Sequence, residues 1–413
     1  MARPAVNVPS PTTTAPPPVS ERAIVGLVGA IQFVNILDFM MVMPLGPDFA
    51  RGLDIPESRL GLVAGMYTLA AGISGVLGAT FLDRFDRRAA LAVAMAGLVV
   101  GTVLCGFATG LGTMLLARAV AGAFGGPATA LALSIVSDVV PQERLGRAMG
   151  SVMGAFSVAS VLGVPAGLWL GELVGDWRTP FFAVAGLGAV LVAASLFIMP
   201  PMRRHLDQPL GPSVTPREIV ARPIVRQALW MMGVGFMASF TIIPNISAYV
   251  QNNAGYPREA LERLYFAGGI ASFFALRQAG GLVDRVGVLR MTALGTAVLT
   301  VIIGLGFGFD VPQIPVMAIF IGFMLGMAIR NVTLNTLSLK VPRPAERARY
   351  QSLQSATQHF ASALGAGISS LLLTTRPDGR LDGMWRVTAL CVALSWLVPW
   401  LAWRVEGSVR STD

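Results

Sequence analysis

The chain has 413 residues, of which 54% are hydrophobic and 13% charged, with a mean hydropathy of +0.66. Soluble domains carry about a quarter charged residues, so this composition excludes an ordinary water-soluble globule and identifies a membrane protein. The formal charge of +9 invites a nucleic-acid reading, but its distribution along the chain assigns it to membrane topology, with attraction to anionic lipid as a secondary effect.

Residues 1–21 are rich in Pro, Thr and Ser without an apolar core, which predicts a disordered cytoplasmic tail and no signal peptide. Beyond them, apolar runs long enough to cross a hydrocarbon core of about 30 Å recur twelve times. The predicted spans are 23–46, 59–82, 88–107, 111–139, 147–171, 178–200, 226–250, 260–283, 290–308, 313–340, 349–374 and 383–405. Segment 201–225 is polar and proline-bearing and reads as a cytoplasmic linker. It separates a six-helix bundle at 22–200 from a second at 226–405, leaving 406–413 as a short cytoplasmic tail. With the N-terminus cytoplasmic and residues within a turn of a span end counted with the adjoining loop, the 31 Lys+Arg divide as 20 in the tails and even-numbered loops, 8 in the odd-numbered loops and 3 deep within spans. The positive-inside rule then places both termini inside.

The halves repeat. Pro44 matches Pro244, Asp83-Arg84 matches Asp284-Arg285, and Glu143-Arg144 matches Glu346-Arg347, at offsets of 200, 201 and 203. Two parallel six-helix repeats are the plan of a secondary transporter with its site between the halves. Residues A79-T-F-L-D-R-F-D-R-R88 resemble the loop motif of the major facilitator superfamily, Gly-x-x-x-Asp-Arg-x-Gly-Arg-Arg, with Ala79 and Asp86 in place of the glycines; G280-G-L-V-D-R-V-G287 resembles its second copy. Arg118 followed by Gly122 is similar to the family's fourth-helix motif. Gly154, Gly163, Gly167 and Gly171 resemble the antiporter motif of the fifth helix, although Pro165 precedes the last glycine, where the family's proline follows it. The resemblance covers about residues 22 to 405 and is closest to the twelve-helix drug:proton antiporters. It implies an all-α polytopic protein of the major facilitator fold that works as a monomer.

Within the loop motif two readings stand. Arg84, Arg87 and Arg88 anchor topology; in addition, Asp83 could latch onto the N-terminus of the eleventh helix, and the resemblance implies that Asp138 pairs with Arg87. The glycines around Pro165 form a groove where another helix backbone can approach, serving packing alone or coupling as well. Pro165 is expected to loosen or kink its helix.

Asp38 is the unusual residue. A charge at the bilayer centre costs at least about 2.5–3.5 kcal/mol, so such residues face a cavity or a partner. At 1.5 Å per residue Asp38 lies about 22 Å into its span and Arg118 about 10 Å below the opposite surface, depths that agree to within a helical turn. Asn35 shares the Asp38 face, and Gly122, Gly125 and Thr129 continue the Arg118 face, leaving room beside the guanidinium. In the family, helices 1, 4, 7 and 10 line the cavity, which makes Asp38 and Arg118 neighbours. Asp38 is then a proton carrier or the site for a cationic drug group, tuned by Arg118; the plainer alternative is an ion pair that never titrates.

Further candidates line the expected cavity: Met41 with Met40 and Met43, Thr241 and Asn245, Asn331 and Asn335, and the titratable His359. Arg277 and Arg330 could bind an anion or merely snorkel or cap backbone. Cys105 and Cys391 fall in different spans, and His205 and His359 are the sole histidines, so neither a disulfide framework nor a metal site is expected. The single lysine, Lys340, has no phosphate cradle, which argues against an ATP-driven pump, and no nucleophile or acid–base cluster suggests an enzyme. The expected activity is proton-coupled efflux of small lipophilic or drug-like compounds, with the proton gradient in place of a cofactor; the alternative is a proton-linked importer or exporter of sugars or organic anions. Arginine outnumbers lysine 30 to 1, which suggests a GC-rich bacterial genome and an inner-membrane location.

Overall fold

The computed structural model describes residues 20–203, 206, 215–308, 314–343 and 346–410. Most of the expected N-terminal tail, much of the linker, His205 and residues 411–413 lie outside these. The long helices are α1 Glu21–Met41, α2 Leu60–Phe81, α3 Arg87–Gly106, α4 Leu111–Val139, α5 Glu143–Val174 and α6 Thr179–Ile198, then α7 Pro223–Asn253, α8 Leu261–Val286, α9 Val288–Gly308, α10 Val316–Ser338, α11 Arg347–Leu372 and α12 Met384–Arg410. Ten are long and apolar enough to cross a membrane by themselves; α8 and α11 are as long but more polar. Their outer surfaces carry exposed Leu, Phe, Val and Trp, as a lipid-facing protein requires.

Helices α1–α6 pack on one another and so do α7–α12. The two groups meet mainly along α2–α11 and α5–α8. A two-stranded ribbon, β1 Thr374–Thr375 antiparallel to β2 Leu381–Asp382, joins α11 to α12.

Several boundaries differ from the sequence expectation for local reasons. The first span was expected to reach residue 46, but α1 stops at Met41, because Pro44 has no N–H for the next helical bond; a separate short helix, Gly46–Gly52, follows with Pro47 in its first turn. The linker holds the short helix Pro216–Ala221, capped by Thr215 and Glu218. At the far end α12 runs on to Arg410, through what was expected to be a tail.

Pro165 acts one turn earlier than a simple kink. Having no N–H, it cannot make the ordinary helical bond to the Val161 carbonyl, and the chain widens into a π turn at Ala159–Gly163. The α5 glycines do not receive a helix backbone. Gly163 meets Leu37 and Phe33 side chains, and Gly167 and Gly171 meet Pro180. The close backbone approach is made from α8, where a Cβ on Gly269 would fall 2.9 Å from the Ser160 carbonyl oxygen.

Asp86, the departure from the loop motif, caps α3. Its carboxylate accepts from the Arg88, Ala89 and Met202 backbone N–H groups and from Arg203 Nε, tying the start of the linker to α3. Burial alone would push this carboxyl up, but the four donors together hold it below its ordinary value. A depressed carboxyl contributes stability that is present above its unfolded pKa and lost as pH falls through the folded one. Asp86→Asn keeps a capping oxygen but loses the charge, and is expected to lower thermal stability in detergent at pH 7 by about 0.3–1 kcal/mol, the scale of a carboxylate at a helix N-terminus. The gap from wild type should close as the pH is taken through 3.8 and below; a gap independent of pH would rule out the carboxylate as its source.

Candidate functional site

The candidate residues of the first six helices meet in one sealed cluster. Arg118 Nη1 on α4 donates to Asp38 Oδ2 on α1 at 3.0 Å, and neither side chain has any exposed surface. A carboxylate and a guanidinium at this depth are each tolerable because the other is present. Asp38 Oδ1 accepts from the Thr102 hydroxyl of α3 at 2.7 Å. The guanidinium lies over the Tyr67 ring of α2, 4.4 Å from the centroid, and its Nε and Nη2 have no hydrogen-bond partner among the described residues. Tyr67 in turn donates to Asn35 Oδ1 at 2.9 Å, while Asn35 Nδ2 donates to the Gly125 carbonyl and the Thr129 hydroxyl. One continuous set of contacts thus joins α1, α2, α3 and α4.

The structure corrects three expectations here. Asp38 and Asn35 do not face a space between the halves; they are 0% and 4% exposed, inside the first six helices. Met41 is likewise buried in the core beside them. The glycines of α4 leave no room for a ligand, because they admit α2. A Cβ would fall 2.2 Å from the Tyr67 carbonyl oxygen at Gly122 and 2.3 Å from the Tyr67 hydroxyl oxygen at Gly125. Tyr67 and Thr102 are hydroxyl residues in apolar spans that the sequence does not single out; the alignment of Thr102 with the Asp38 depth is the signal that could have found it.

The second group of helices holds its polar residues differently. Thr241 and Asn245 are fully buried, not cavity-lining: Asn245 Nδ2 donates to the Thr241 carbonyl and to Ser369 Oγ, tying α7 to α11. Arg330 does not snorkel. It is buried and donates to the Gly235 carbonyl and Ser239 of α7 and to Ser395 of α12, with no ion pair among the described residues. Arg277 is exposed, as a snorkelling residue would be. Asn331 and Asn335 are half-buried on α10, where Asn335 accepts from Gln354 of α11. His359 is also half-buried, beside Gly72 of α2.

In the loop after α2, Arg87 pairs with Asp138 at 2.8 Å. Arg88 donates to the Met199 and Leu196 carbonyls at the C-terminus of α6, a favourable place for a cation. Arg84, Asp284 and Arg285 are exposed. The side chain of Asp83, and with it the expected latch to α11, lies outside the described residues.

A latch that the sequence did not reveal closes the opposite face of the molecule. Arg258, between α7 and α8, donates to Asp48 of the short helix Gly46–Gly52 at 2.7 Å and lies 3.9 Å from Glu172 of α5. Glu57 accepts from Asn252, and the Ser58 N–H donates to Thr375 of the ribbon. Phe39 and Phe240 stack between α1 and α7.

The model of the Major Facilitator Superfamily matches residues 28–407. The chain belongs to that superfamily. The relatives it matches are named as a membrane transport protein and an efflux pump. It is 30% identical to the inner membrane transport protein YdhP of Escherichia coli over 214 residues, 51% of this chain; the match spans about half, 53%, of that relative. It is 26% identical to the purine ribonucleoside efflux pump NepI of Salmonella paratyphi B over 383 residues, 90% of this chain and 93% of that one. Among solved structures, a bacterial homologue of the human lysosomal transporter Spinster, inward-facing and occupied, superposes with a TM-score of 0.74 at 15% identity, covering 95% of this chain and 98% of that one. A mutant of the nucleoside transporter NupG superposes at 0.73 with 13% identity, covering 94% and 100%. The fold is therefore that of the superfamily, as the repeat suggested, and the twelve long helices described are consistent with it.

Two outcomes test the packing. Gly122→Ala should force α2 and α4 apart and cut the yield of monodisperse protein on size exclusion, whereas Gly112→Ala, on the same helix with nothing within 4 Å of the added methyl, should leave it unchanged. Asp48→Asn should weaken the latch and raise maleimide labelling of Ala248→Cys severalfold, since that buried residue sits on the turn packed against Gly46–Gly52. Equal labelling with and without the Asp48 change would show that the ion pair does not hold this face shut.

Proposed function

We propose that the protein is a proton-coupled exporter of small organic solutes, working by alternating access in a bacterial inner membrane with both termini cytoplasmic. The observation that carries the reading is Asp38, an acid sealed at membrane depth with one oxygen on Arg118 and the other on a hydroxyl. Asp38 is the proton site and Arg118 its fixed counter-charge. When ionised, Asp38 draws α1 to α4 and α3; when protonated, it releases much of that attraction, so proton loading changes how firmly these helices are held. Because Asp38 has no exposed surface, a cationic substrate is not its partner in this state.

Lipophilic and drug-like compounds fit the resemblance to drug:proton antiporters. Purine ribonucleosides form a second class, favoured by the match to NepI along 90% of this chain. Sugars and organic anions remain the alternative cargo, moved with or against protons.

The test is proton movement in everted vesicles carrying a pH-gradient dye, with lipophilic cations, phenicols, purine ribonucleosides, sugars and organic anions added in turn. One of these is expected to release protons from vesicles containing the wild type and not from those containing Asp38→Asn at equal expression. Solute flux without proton movement, or an Asp38→Asn protein that still exchanges protons, would overturn the assignment.

A further inference from the structure

We propose that Thr102 is a positioning residue that lets Asp38 take up and release its proton without losing a hydrogen bond, an inference that rests on Asp38 being the proton site. Thr102 Oγ1 lies 2.7 Å from Asp38 Oδ1 and 2.9 Å from the Leu98 carbonyl oxygen one turn back on α3. A hydroxyl has one proton and two lone pairs, so it can donate to only one of these acceptors at a time. With Asp38 ionised, the hydroxyl proton points at Oδ1. The Leu98 carbonyl then keeps its ordinary helical partner, the Thr102 backbone N–H.

When a hydronium ion delivers a proton to Oδ1, a new O–H bond forms on the carboxyl and a water molecule leaves. That O–H donates into a lone pair of Thr102 Oγ1, and the threonine proton swings to the Leu98 carbonyl. Oδ2, 3.0 Å from Arg118 Nη1 here, can accept from the guanidinium in either form. Release is the reverse, with the proton passing to water. The exchange of hydrogen bonds itself moves no heavy atom of the cluster; the water that carries the proton reaches Oδ1 when helix movement opens the site, which has no exposed surface in this state. The charged and titratable groups facing Asp38 are Arg118 of α4, Cys105 of α3 and Tyr67 of α2. Of these only Arg118 contacts the carboxylate, so the threonine is the partner that can both give and accept.

The geometry makes Thr102→Ser and Thr102→Val opposite cases. Serine keeps the two-way hydroxyl; valine keeps the shape and loses both functions. The ionised form has the stronger, charge-assisted bond to lose. In vesicles, the pH giving half-maximal substrate-driven proton exchange should therefore rise in Thr102→Val by about one unit, while Thr102→Ser stays with the wild type. If valine lowers the yield of folded protein, Thr102→Ala provides the same comparison. A wild-type pH profile in both hydroxyl-free variants, or an equal shift in Thr102→Ser, overturns the role of Thr102. Asp38→Asn in the same series separates the two readings: continued proton exchange there removes Asp38 itself, and this proposal with it. A silent Asp38→Asn beside unshifted Thr102→Val and Thr102→Ala removes the threonine's role alone.

Discussion

The ion pair of Asp38 and Arg118 has to exist as a pair, and the first helices are arranged around that requirement. Hydrocarbon offers a charge no water, and removing one partner of a buried pair costs about 3–5 kcal/mol. Each remaining polar atom near it then needs an answer. Thr102 serves the second carboxylate oxygen, and the Tyr67 ring covers the guanidinium where hydrogen bonds are missing. Asn35 holds Tyr67 in turn. Arg330 meets the same constraint without a carboxylate, by donating to hydroxyls and a carbonyl from two neighbouring helices.

Helix α2 carries this arrangement to the other half of the molecule. On one side it enters the glycine-lined face of α4 at Tyr67. On the other, its own glycines meet α11: a Cβ on Gly61 would fall 2.2 Å from the Ala366 carbonyl oxygen, and Gly65 and Gly72 abut Ala363 and His359. Between apolar helices in lipid, close packing and not the hydrophobic effect supplies the attraction. Small residues on both sides leave few interlocking side chains to resist sliding. A change in the charge of Asp38 therefore lies one helix away from the contact between the two groups of six.

Much of this was legible in the sequence. Apolar runs mark membrane helices because the bilayer imposes their length, and a lone acid at a depth matching a lone arginine predicts their meeting. The direction in which a span faces was harder to read. Lipid-facing and protein-facing positions are both apolar, so Thr241, Asn245 and Met41 gave no sign that they are buried against neighbouring helices. Thr102 and Tyr67 act across helices, and contacts between distant segments leave no periodic trace. Asp86 read as a defect in a motif, whereas its position as an N-cap explains it. The latch at Asp48, Glu172 and Arg258 draws on three separate connections, each of which alone looks like a solvated loop or helix end.

Arg330 has a consequence of an electrical kind. The fully buried charges described within the spans are Asp38, Arg118 and Arg330, which sum to one positive charge with Asp38 ionised and two with it protonated. In either form the interior of the protein is cationic. An elementary charge crossing the whole membrane potential exchanges about 2.3 kcal/mol per 100 mV. Any helix movement that shifts these arginines along the membrane normal is thereby coupled to voltage, more strongly for the protonated carrier than for the ionised one. On the proposed reading of Asp38 as the proton site, a membrane negative inside would bias the two forms unequally between their access states, so that voltage would act beside the pH difference in setting the direction of the cycle.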